Sequence, residues 1–149
     1  MDGDIILVDL DHTLSDARWR DGKIKEKMSK DDWADYHGHA MSDPCFEPVA
    51  AVVRALKLSG CMIYIVTARE ERFRWATETW MRNNRINADA LFMRPNYNSE
   101  PSKTLKAKQI VHALPVEMLA RVKLIIDDRE DVIESFAKLG ICGLRVVMS

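Results

Sequence analysis

The sequence predicts an α/β domain in which a parallel β-sheet lies between two layers of helices. Four short apolar runs, with a weaker fifth at the end of the chain, are continuously apolar rather than alternating, which is typical of strands covered on both faces. Segments with helical period separate these runs. Such alternation requires right-handed crossovers and produces a three-layer domain. The 149 residues, of which 47% are apolar, suffice for one core.

The apolar runs place five strands along the chain. Each run has four or five residues, a length that fits a short buried strand. In chain order the predicted strands cover Ile5–Val8 and residues 62–66, 90–93, 122–126 and 144–148.

Four apolar stripes at helical spacing predict the helices that connect the strands. Gly60, Pro115 and Gly140 follow three of these stripes, and such residues commonly end helices. The stripes consist of Val49, Val52, Val53 and Leu56; Phe73, Ala76, Thr77, Trp80 and Met81; Ala107, Ile110, Val111 and Leu114; and Val132, Ile133, Phe136 and Ala137.

About thirty residues after the first strand do not fit this alternation. The segment, at about 15–47, is polar and too long for an ordinary connection between a strand and a helix. It leaves the carboxyl end of a strand, where open α/β sheets bind ligands. We therefore expect residues 1–149 to form a single domain with a small cap insertion over its site. The segment contains Trp19, Trp33, Tyr36, His37 and His39.

Charge and cysteine content narrow the class of protein. The 22 basic and 23 acidic residues leave a net charge of -1, whereas a protein that coats a polyanion needs a surplus of Lys and Arg. Cys45, Cys61 and Cys142 do not form a disulfide or zinc pattern, and we expect small buried thiols. The acidic amino terminus and short apolar runs predict neither a signal peptide nor a membrane span, so we expect a cytoplasmic protein without a membrane partner.

Paired carboxylates lie at the ends of two predicted strands. Asp9 and Asp11 follow the first strand, and Asp127 and Asp128 follow the fourth. Two carboxylates forced together repel unless they share a proton or a cation, and hard oxygen ligands suit Mg²⁺. A local turn is an alternative explanation for Asp9 and Asp11, and a helix cap explains one of Asp127 and Asp128. Neither alternative explains why two acidic pairs occur at the same edge of the sheet. The sequence therefore predicts a magnesium site.

A phosphate-binding group is predicted where the second strand ends. Thr67 offers a hydroxyl group, and the turn at Ala68 offers backbone N–H groups at the start of a helix. Threonine at this position can also simply cap a helix. Lys106, after the third strand, is the candidate cation, with Lys103 and Lys108 as alternatives.

The order of these motifs resembles that of the haloacid dehalogenase superfamily, whose phosphatases use an aspartate nucleophile. Residues 65–70, 92–94 and 124–140 are also similar to the 3′-phosphatase domain of phage polynucleotide kinase/phosphatase. The resemblance implies a Rossmann-like parallel sheet and a magnesium-dependent phosphomonoesterase. The motifs span almost the whole chain and are Asp-x-Asp-x-Thr at residues 9–13, Thr67, Lys106, Asp127 and Asp128.

The resemblance also implies a role for each acid. Asp9 is the nucleophile that takes up the phosphoryl group. Asp11 protonates the leaving oxygen and then deprotonates the attacking water. Mg²⁺ is held by Asp9, the backbone carbonyl of Asp11 and Asp128, with Asp127 nearby. The predicted threonine and lysine hold the remaining phosphate oxygens.

Two features depart from the superfamily pattern. His12 stands where many relatives have Gly, and it either narrows the mouth of the site, contacts substrate or only tolerates the turn. Residues 102–105, before Lys106, lack the acidic residues that relatives have there. This second difference leaves open the choice between polynucleotide ends and free nucleotides.

Four arginines predict a substrate with more than one anionic group. Arg18 and Arg20 follow the first strand, and Arg69 and Arg94 follow the second and third. Guanidinium groups suit a nucleotide or a nucleic-acid end, and surface ion pairs are the alternative interpretation. Trp33 can stack on a base, but a place in the small aromatic core of the insertion is the favoured interpretation.

The predicted function is hydrolysis of phosphomonoesters on nucleic-acid 3′ ends or nucleotides. A free nucleoside 5′-monophosphatase is the alternative within the same class. A phospho-acceptor or binding module without turnover is a more distant alternative, which intact Asp9 and Asp11 argue against. No Gly-x-x-x-x-Gly-Lys-Ser/Thr loop occurs in the sequence, so it contains no kinase motif of that type.

Overall fold

The computed structural model describes residues 3–149, which contain a five-stranded parallel sheet. The strands are β1 (Ile5–Val8), β2 (Met62–Glu70), β3 (Ala90–Arg94), β4 (Val122–Asp127) and β5 (Cys142–Arg145). Their spatial order is β3-β2-β1-β4-β5. The fold class predicted from the sequence is confirmed, and β1 lies at the centre of the sheet, between β2 and β4.

Four strands differ from their predicted bounds: β3 and β4 each extend one residue further, and β2 and β5 differ by more. β2 continues past Val66, because Glu70 pairs with Arg94 of β3 after an irregularity in the register. β5 begins at Cys142, two residues before the predicted start, and ends at Arg145, three residues before the predicted end. The preceding turn at Gly140, where φ is 80°, brings Cys142 opposite Leu124 of β4.

Helices cover both faces of the sheet, because the side chains of β1 alternate between two apolar clusters. Ile6 and Val8 pack with residues of the second and third helices, and Ile5 and Leu7 pack with residues of the fourth and sixth. The fifth helix is a single turn after Pro115, too short to show a stripe in the sequence. The helices are α1 (Lys30–Gly38), α2 (Glu47–Leu58), α3 (Arg74–Asn83), α4 (Ser102–Ala113), α5 (Val116–Leu119) and α6 (Glu130–Ala137).

The segment between β1 and α2 contains α1 and two 3₁₀ turns, Arg18–Lys23 and Ala40–Ser42. A reciprocal pair of hydrogen bonds between Ser29 and Asp32 caps the start of α1. The two ends of the segment are joined at its base, where the backbone N–H of Phe46 donates to the carbonyl of Leu14 at 2.7 Å. The segment therefore leaves and re-enters the domain at one place, beside the end of β1.

The thiols are less buried than the sequence indicated. Cys45 and Cys61 are half-buried, and Cys142 on the edge strand β5 is exposed, so the prediction of a buried thiol is wrong for Cys142. No helix in residues 3–149 has both the length and the apolar character needed to cross a membrane.

Candidate active site

The carboxyl ends of β1 and β4 bring three carboxylates together. These strands pair in parallel with Val8 opposite Ile126, so the residues that follow lie at the same edge of the sheet. One oxygen atom from each of Asp9, Asp127 and Asp128 lies within 4.8 Å of the other two. Asp9 and Asp127 are buried, and Asp128 is half-buried. The fold thus gathers acids from opposite ends of the chain.

Lys106 on α4 bridges two of these acids. Its Nζ donates hydrogen bonds to Asp9 Oδ1 at 2.8 Å and to Asp127 Oδ2 at 2.7 Å, and only 2% of its side chain is exposed. Lys103 and Lys108 are exposed on the same helix, and Lys108 pairs with an acid of the preceding loop. Of the three lysines of α4, Lys106 is the one that reaches the acids.

Burial and mutual repulsion raise the pKa of two of the three acids. Burial, followed by the charge of Asp127, raises the pKa of Asp9 well above its usual value, although Lys106 opposes the shift. The same two causes raise the pKa of Asp128 to about 6. Burial disfavours the charged form of Lys106, but the adjacent carboxylates outweigh it and raise the pKa of this ammonium group.

When all three acids are ionised, they carry more negative charge than the one ammonium group of Lys106 balances. Their donors are hard carboxylate oxygens that lie close together, and Asp9 and Asp128 line a cavity. A divalent cation such as Mg²⁺ binds oxygen donors of this kind and relieves their repulsion. The arrangement of Asp9, Asp127 and Asp128 therefore fits such an ion.

The second acid of the Asp-x-Asp motif contacts two buried arginines. Arg20 Nη2 donates to Asp11 Oδ1 at 2.6 Å, and Arg69 Nη2 donates to the same oxygen at 2.7 Å. Arg69 Nε lies 3.2 Å from both carboxylate oxygens. Burial favours the neutral acid, but the charge and hydrogen bonds of Arg69, helped by Arg20, hold the pKa of Asp11 far below its usual range. Asp11 is therefore a carboxylate in this state.

Asp43 completes a buried ion-pair group with Asp11, Arg20 and Arg69. Its carboxylate accepts hydrogen bonds from Arg20 Nε at 2.8 Å and Nη2 at 2.6 Å, and it lies 3.6 Å from Arg69 Nη2. Two acids thus balance two guanidinium groups; Asp43 and both arginines are buried, and Asp11 is half-buried at the cavity. The sequence analysis did not single out Asp43, because one Asp in a polar segment carries no signal that its partners lie in another part of the chain.

The four arginines predicted to contact substrate occupy different environments. Arg20 and Arg69 are buried within the ion-pair group rather than on the cavity wall. Arg94 lines the cavity, and backbone carbonyls of β2 and of the loop after β3 hold its guanidinium. The structure does not bring Arg18 to the cavity, because its exposed side chain pairs with Asp16.

Two threonines lie close to the acids. Thr13, the last residue of the Asp-x-Asp-x-Thr motif, is completely buried and donates from Oγ1 to Asp9 Oδ2 at 3.2 Å. Thr67 is also completely buried, and its Oγ1 accepts the backbone N–H of Arg69 at 3.2 Å. The adjacent Ala68 lines the cavity. Thr13 therefore helps to orient Asp9, a contact that the sequence analysis did not predict.

A cavity of about 540 Å³ lies beside the acids, and its lining includes Asp9, Asp11, Lys106 and Asp128. Three parts of the chain form its walls: the ends of the central strands, the insertion, and the loop between β3 and α4. Lys30 of the insertion places Nζ 5.3 Å from the ring centroid of Tyr97 in that loop. Besides the acids, the lining includes Ile24, Met28, Trp33, Tyr36, His37 and Tyr97.

His12 joins the motif loop to the insertion. Its backbone has φ of 62°, a conformation that favours glycine. Its Nε2 lies 2.9 Å from both carboxylate oxygens of Asp21, and Asp21 also accepts the hydroxyl group of Tyr36 at 3.2 Å. His12 thus contacts the insertion in addition to lining the cavity.

A family model described as the polynucleotide kinase PNKP phosphatase domain matches residues 3–148. No curated protein matches the chain by sequence.

Solved structures with the same fold include two of Pnkp1/Rnl/Hen1 complexes, one of them described as an RNA repair complex. The first is 22% identical with a TM-score of 0.77, over 98% of this chain and 47% of that chain. The RNA repair complex is 23% identical with a TM-score of 0.80, over 96% and 42%. A haloacid dehalogenase-like hydrolase from Streptococcus pneumoniae is 16% identical with a TM-score of 0.64, over 96% and 84%. The chain spans less than half the length of the first two.

Proposed function

Since the chain belongs to the family of PNKP phosphatase domains and is a phosphatase, we propose that it is a magnesium-dependent hydrolase of phosphomonoesters at nucleic-acid 3′ ends. The observation that carries this proposal is the buried cluster in which Lys106 bridges Asp9 and Asp127 beside Asp128. Asp11, the proposed proton donor, lies two residues after Asp9 at the same cavity.

Asp9 is the proposed nucleophile. Thr13 donates a hydrogen bond to Oδ2, and Lys106 donates one to Oδ1, so the carboxylate is fixed from both sides. One of its oxygens forms a bond to phosphorus while the bond from phosphorus to the leaving oxygen breaks, and the product is an aspartyl-phosphate. Water then attacks phosphorus in this intermediate, which releases inorganic phosphate and restores the carboxylate.

Asp11 is the proposed acid and base. It gives a proton to the leaving oxygen in the first step and takes one from the attacking water in the second. The buried arginines hold Asp11 ionised before substrate binds. A phosphate adds negative charge beside this carboxylate and raises its pKa, so we infer that Asp11 gains its proton together with substrate binding.

Phosphate binding is assigned to three residues at the same edge of the sheet. The hydroxyl group of Thr67, the backbone at Ala68 and the ammonium group of Lys106 are the proposed contacts of the phosphate oxygens. Asp9 and Asp128, with the backbone carbonyl of Asp11 and with Asp127 nearby, are the proposed ligands of Mg²⁺. When bound, the ion neutralises phosphate charge and so permits the approach of a carboxylate.

The cavity supports a substrate larger than phosphate alone. Its volume of about 540 Å³ falls within the range of small-molecule sites, about 300–1,000 Å³, and aromatic residues of the insertion line it. We therefore propose that residues 15–47 act as a cap over the nucleoside that carries the phosphate, within one domain. Arg94 is the proposed cationic contact on the cavity wall.

A free nucleotide is the second candidate substrate. The Lys30 ammonium group lies near the ring of Tyr97, so the insertion contacts the loop after β3. A contact between two walls of the cavity favours a short substrate that enters whole. An oligonucleotide instead requires an open path for the rest of its strand.

Phosphate release from four substrates tests both candidates. These are an oligonucleotide with a 3′-phosphate, the same oligonucleotide with a 5′-phosphate, a nucleoside 3′-monophosphate and a nucleoside 5′-monophosphate, each with Mg²⁺ or with EDTA. We expect activity with Mg²⁺ on the 3′-phosphorylated oligonucleotide, and loss of this activity in Asp9→Asn. Asp4→Asn is the matched control, because Asp4 is exposed at the opposite end of β1. Preference for the 5′-monophosphate contradicts the 3′-end assignment, and equal turnover in EDTA contradicts the metal assignment.

A further inference from the structure

His37 lies where the insertion meets the motif loop. It is on α1, and only 10% of its side chain is exposed. Its Nδ1 is buried and accepts or donates no hydrogen bond within residues 3–149. The same atom lies 3.9 Å from Asp11 Oδ2, which is too long for a hydrogen bond. A buried polar atom without a partner costs free energy, so the absence of a partner here requires an explanation.

Three aromatic rings hold the imidazole in this orientation. Trp33 is stacked on it, with ring centroids 5.8 Å apart and an interplanar angle of 17°. Tyr36 contacts it edge-on at 5.1 Å, and Phe73, which precedes α3, lies 6.0 Å away. Trp33 and Tyr36 belong to the insertion and Phe73 precedes α3, so the packing of the insertion on the domain places the ring beside Asp11.

The oxygen of Asp11 that lies near His37 has fewer hydrogen-bond partners than the other. Oδ1 accepts hydrogen bonds from both Arg20 and Arg69 at 2.6 and 2.7 Å. Among the residues that the structure describes, Oδ2 has only Arg69 Nε, at 3.2 Å. Two atoms separated by 3.9 Å can both reach a third atom through hydrogen bonds of about 2.8 Å. The separation therefore allows one oxygen atom to bond to His37 Nδ1 and Asp11 Oδ2 at the same time, once a small shift of the insertion uncovers the buried Nδ1.

We propose that this third atom is the leaving oxygen of the substrate, and that the Nδ1–H group of His37 donates a hydrogen bond to it. The proposal rests on the proposed function, in which Asp11 transfers a proton to the same oxygen. His37 transfers no proton. It stabilises the negative charge that develops as the bond from phosphorus to oxygen breaks.

The protonation state of His37 agrees with a donor role. Burial is the largest cause that lowers the pKa of His37 to about 4, although Asp11 opposes the shift. A neutral imidazole carries one ring N–H group. The nearby Asp11 carboxylate repels the lone pair of an unprotonated Nδ1, so electrostatics favour the tautomer with its proton on Nδ1.

A hydrogen bond to the leaving oxygen matters most for poor leaving groups. A nucleoside hydroxyl leaves as a strongly basic alkoxide unless it is stabilised, whereas para-nitrophenolate disperses its charge over its own ring. Loss of the His37 hydrogen bond should therefore slow hydrolysis of a 3′-phosphorylated oligonucleotide far more than hydrolysis of para-nitrophenyl phosphate. A residue that only supports the fold would slow both reactions equally.

The test measures kcat/KM of His37→Phe and His37→Asn on both substrates. Phe keeps the ring stack but removes the donor, and the Asn amide can replace the Nδ1–H group. We expect His37→Phe to lose about 100-fold on the oligonucleotide and about threefold or less on para-nitrophenyl phosphate, with partial recovery in His37→Asn. His39→Phe is the matched control, because His39 is exposed in the same insertion.

Three results would overturn the proposal. They are an equal loss on both substrates in His37→Phe, no loss on the oligonucleotide, and no recovery in a folded His37→Asn protein. Circular dichroism and thermal unfolding establish that each variant is folded. If wild-type protein releases no phosphate from any substrate, the proposed function itself fails, and this result is distinguishable from the other three.

Discussion

Replacement of Lys106 by Met tests whether one buried cation stabilises the acid cluster. Met keeps most of the side-chain volume but removes the ammonium group, which donates to Asp9 at 2.8 Å and to Asp127 at 2.7 Å. Removal of one partner from a buried ion pair lowers the free energy of unfolding by about 3–5 kcal/mol. In a domain of this size, each kcal/mol lowers Tm by about 2–4 °C, so we expect Tm in EDTA to fall by about 6–20 °C.

The loss of thermal stability in Lys106→Met should depend on pH, because it depends on the pKa of Asp9. Burial and Asp127 already raise this pKa above its value in the unfolded chain, and removal of Lys106 raises it further. A carboxyl group with a raised folded-state pKa binds more protons in the folded state, so the protein gains stability as pH falls through that pKa. The difference in Tm between Lys106→Met and wild type should therefore be smaller at pH 5 than at pH 8.

Thermal unfolding by circular dichroism, in EDTA and in Mg²⁺, measures these effects. Mg²⁺ should raise the Tm of Lys106→Met more than that of wild type, because the ion replaces part of the lost positive charge. Lys103→Met is the matched control, since Lys103 is exposed on the same helix. Equal losses in the two variants, or a Tm of Lys106→Met within about 2 °C of wild type in EDTA, would refute the reasoning.

Three further predictions concern other parts of the site. Asp43→Asn should lower the free energy of unfolding by about 3 kcal/mol, because Arg20 loses a buried counter-ion. Urea denaturation measures this free energy, and an unchanged free energy of unfolding would contradict the prediction. Mg²⁺ affinity, measured by titration calorimetry, should fall about tenfold per pH unit below the Asp128 pKa of about 6, since protons then compete with the ion. An affinity that does not change from pH 5 to 7 would argue against Asp128 as a ligand. Arg18→Ala should change kcat/KM by about twofold or less, because Arg18 pairs with Asp16 outside the cavity; a large loss would restore Arg18 as a substrate contact.

The acid positions follow from local sequence because strands and their ends have a local signature. A continuous apolar run indicates a buried strand, and the polar residue after it lies at the carboxyl edge of a parallel sheet. This reasoning applies to Asp9 after β1 and to Asp127 at the end of β4. The order of the motifs along the chain also pointed to Lys106. The same helix contains Lys103 and Lys108, and only the fold shows that these two are exposed while Lys106 reaches the acids.

The contacts of the arginines could not be predicted by this reasoning. Local sequence indicates that Arg20 and Arg69 lie close to strand ends, but not which acid each one meets. Both contact Asp11 and Asp43, so their guanidinium groups belong to the interior of the domain. An ion pair between distant residues depends on how the insertion folds back on the sheet, and no local pattern encodes this geometry.

The sequence by itself determined the α/β class and the positions of the acids at the ends of two strands, because apolar periodicity and side-chain type are local properties. Only the tertiary structure decided that Asp43 pairs with two buried arginines and that Arg18 does not line the cavity. It also decided that His37 approaches Asp11 without a hydrogen bond. These contacts join residues from separate segments, and the close packing of the insertion against the sheet creates them when the chain folds.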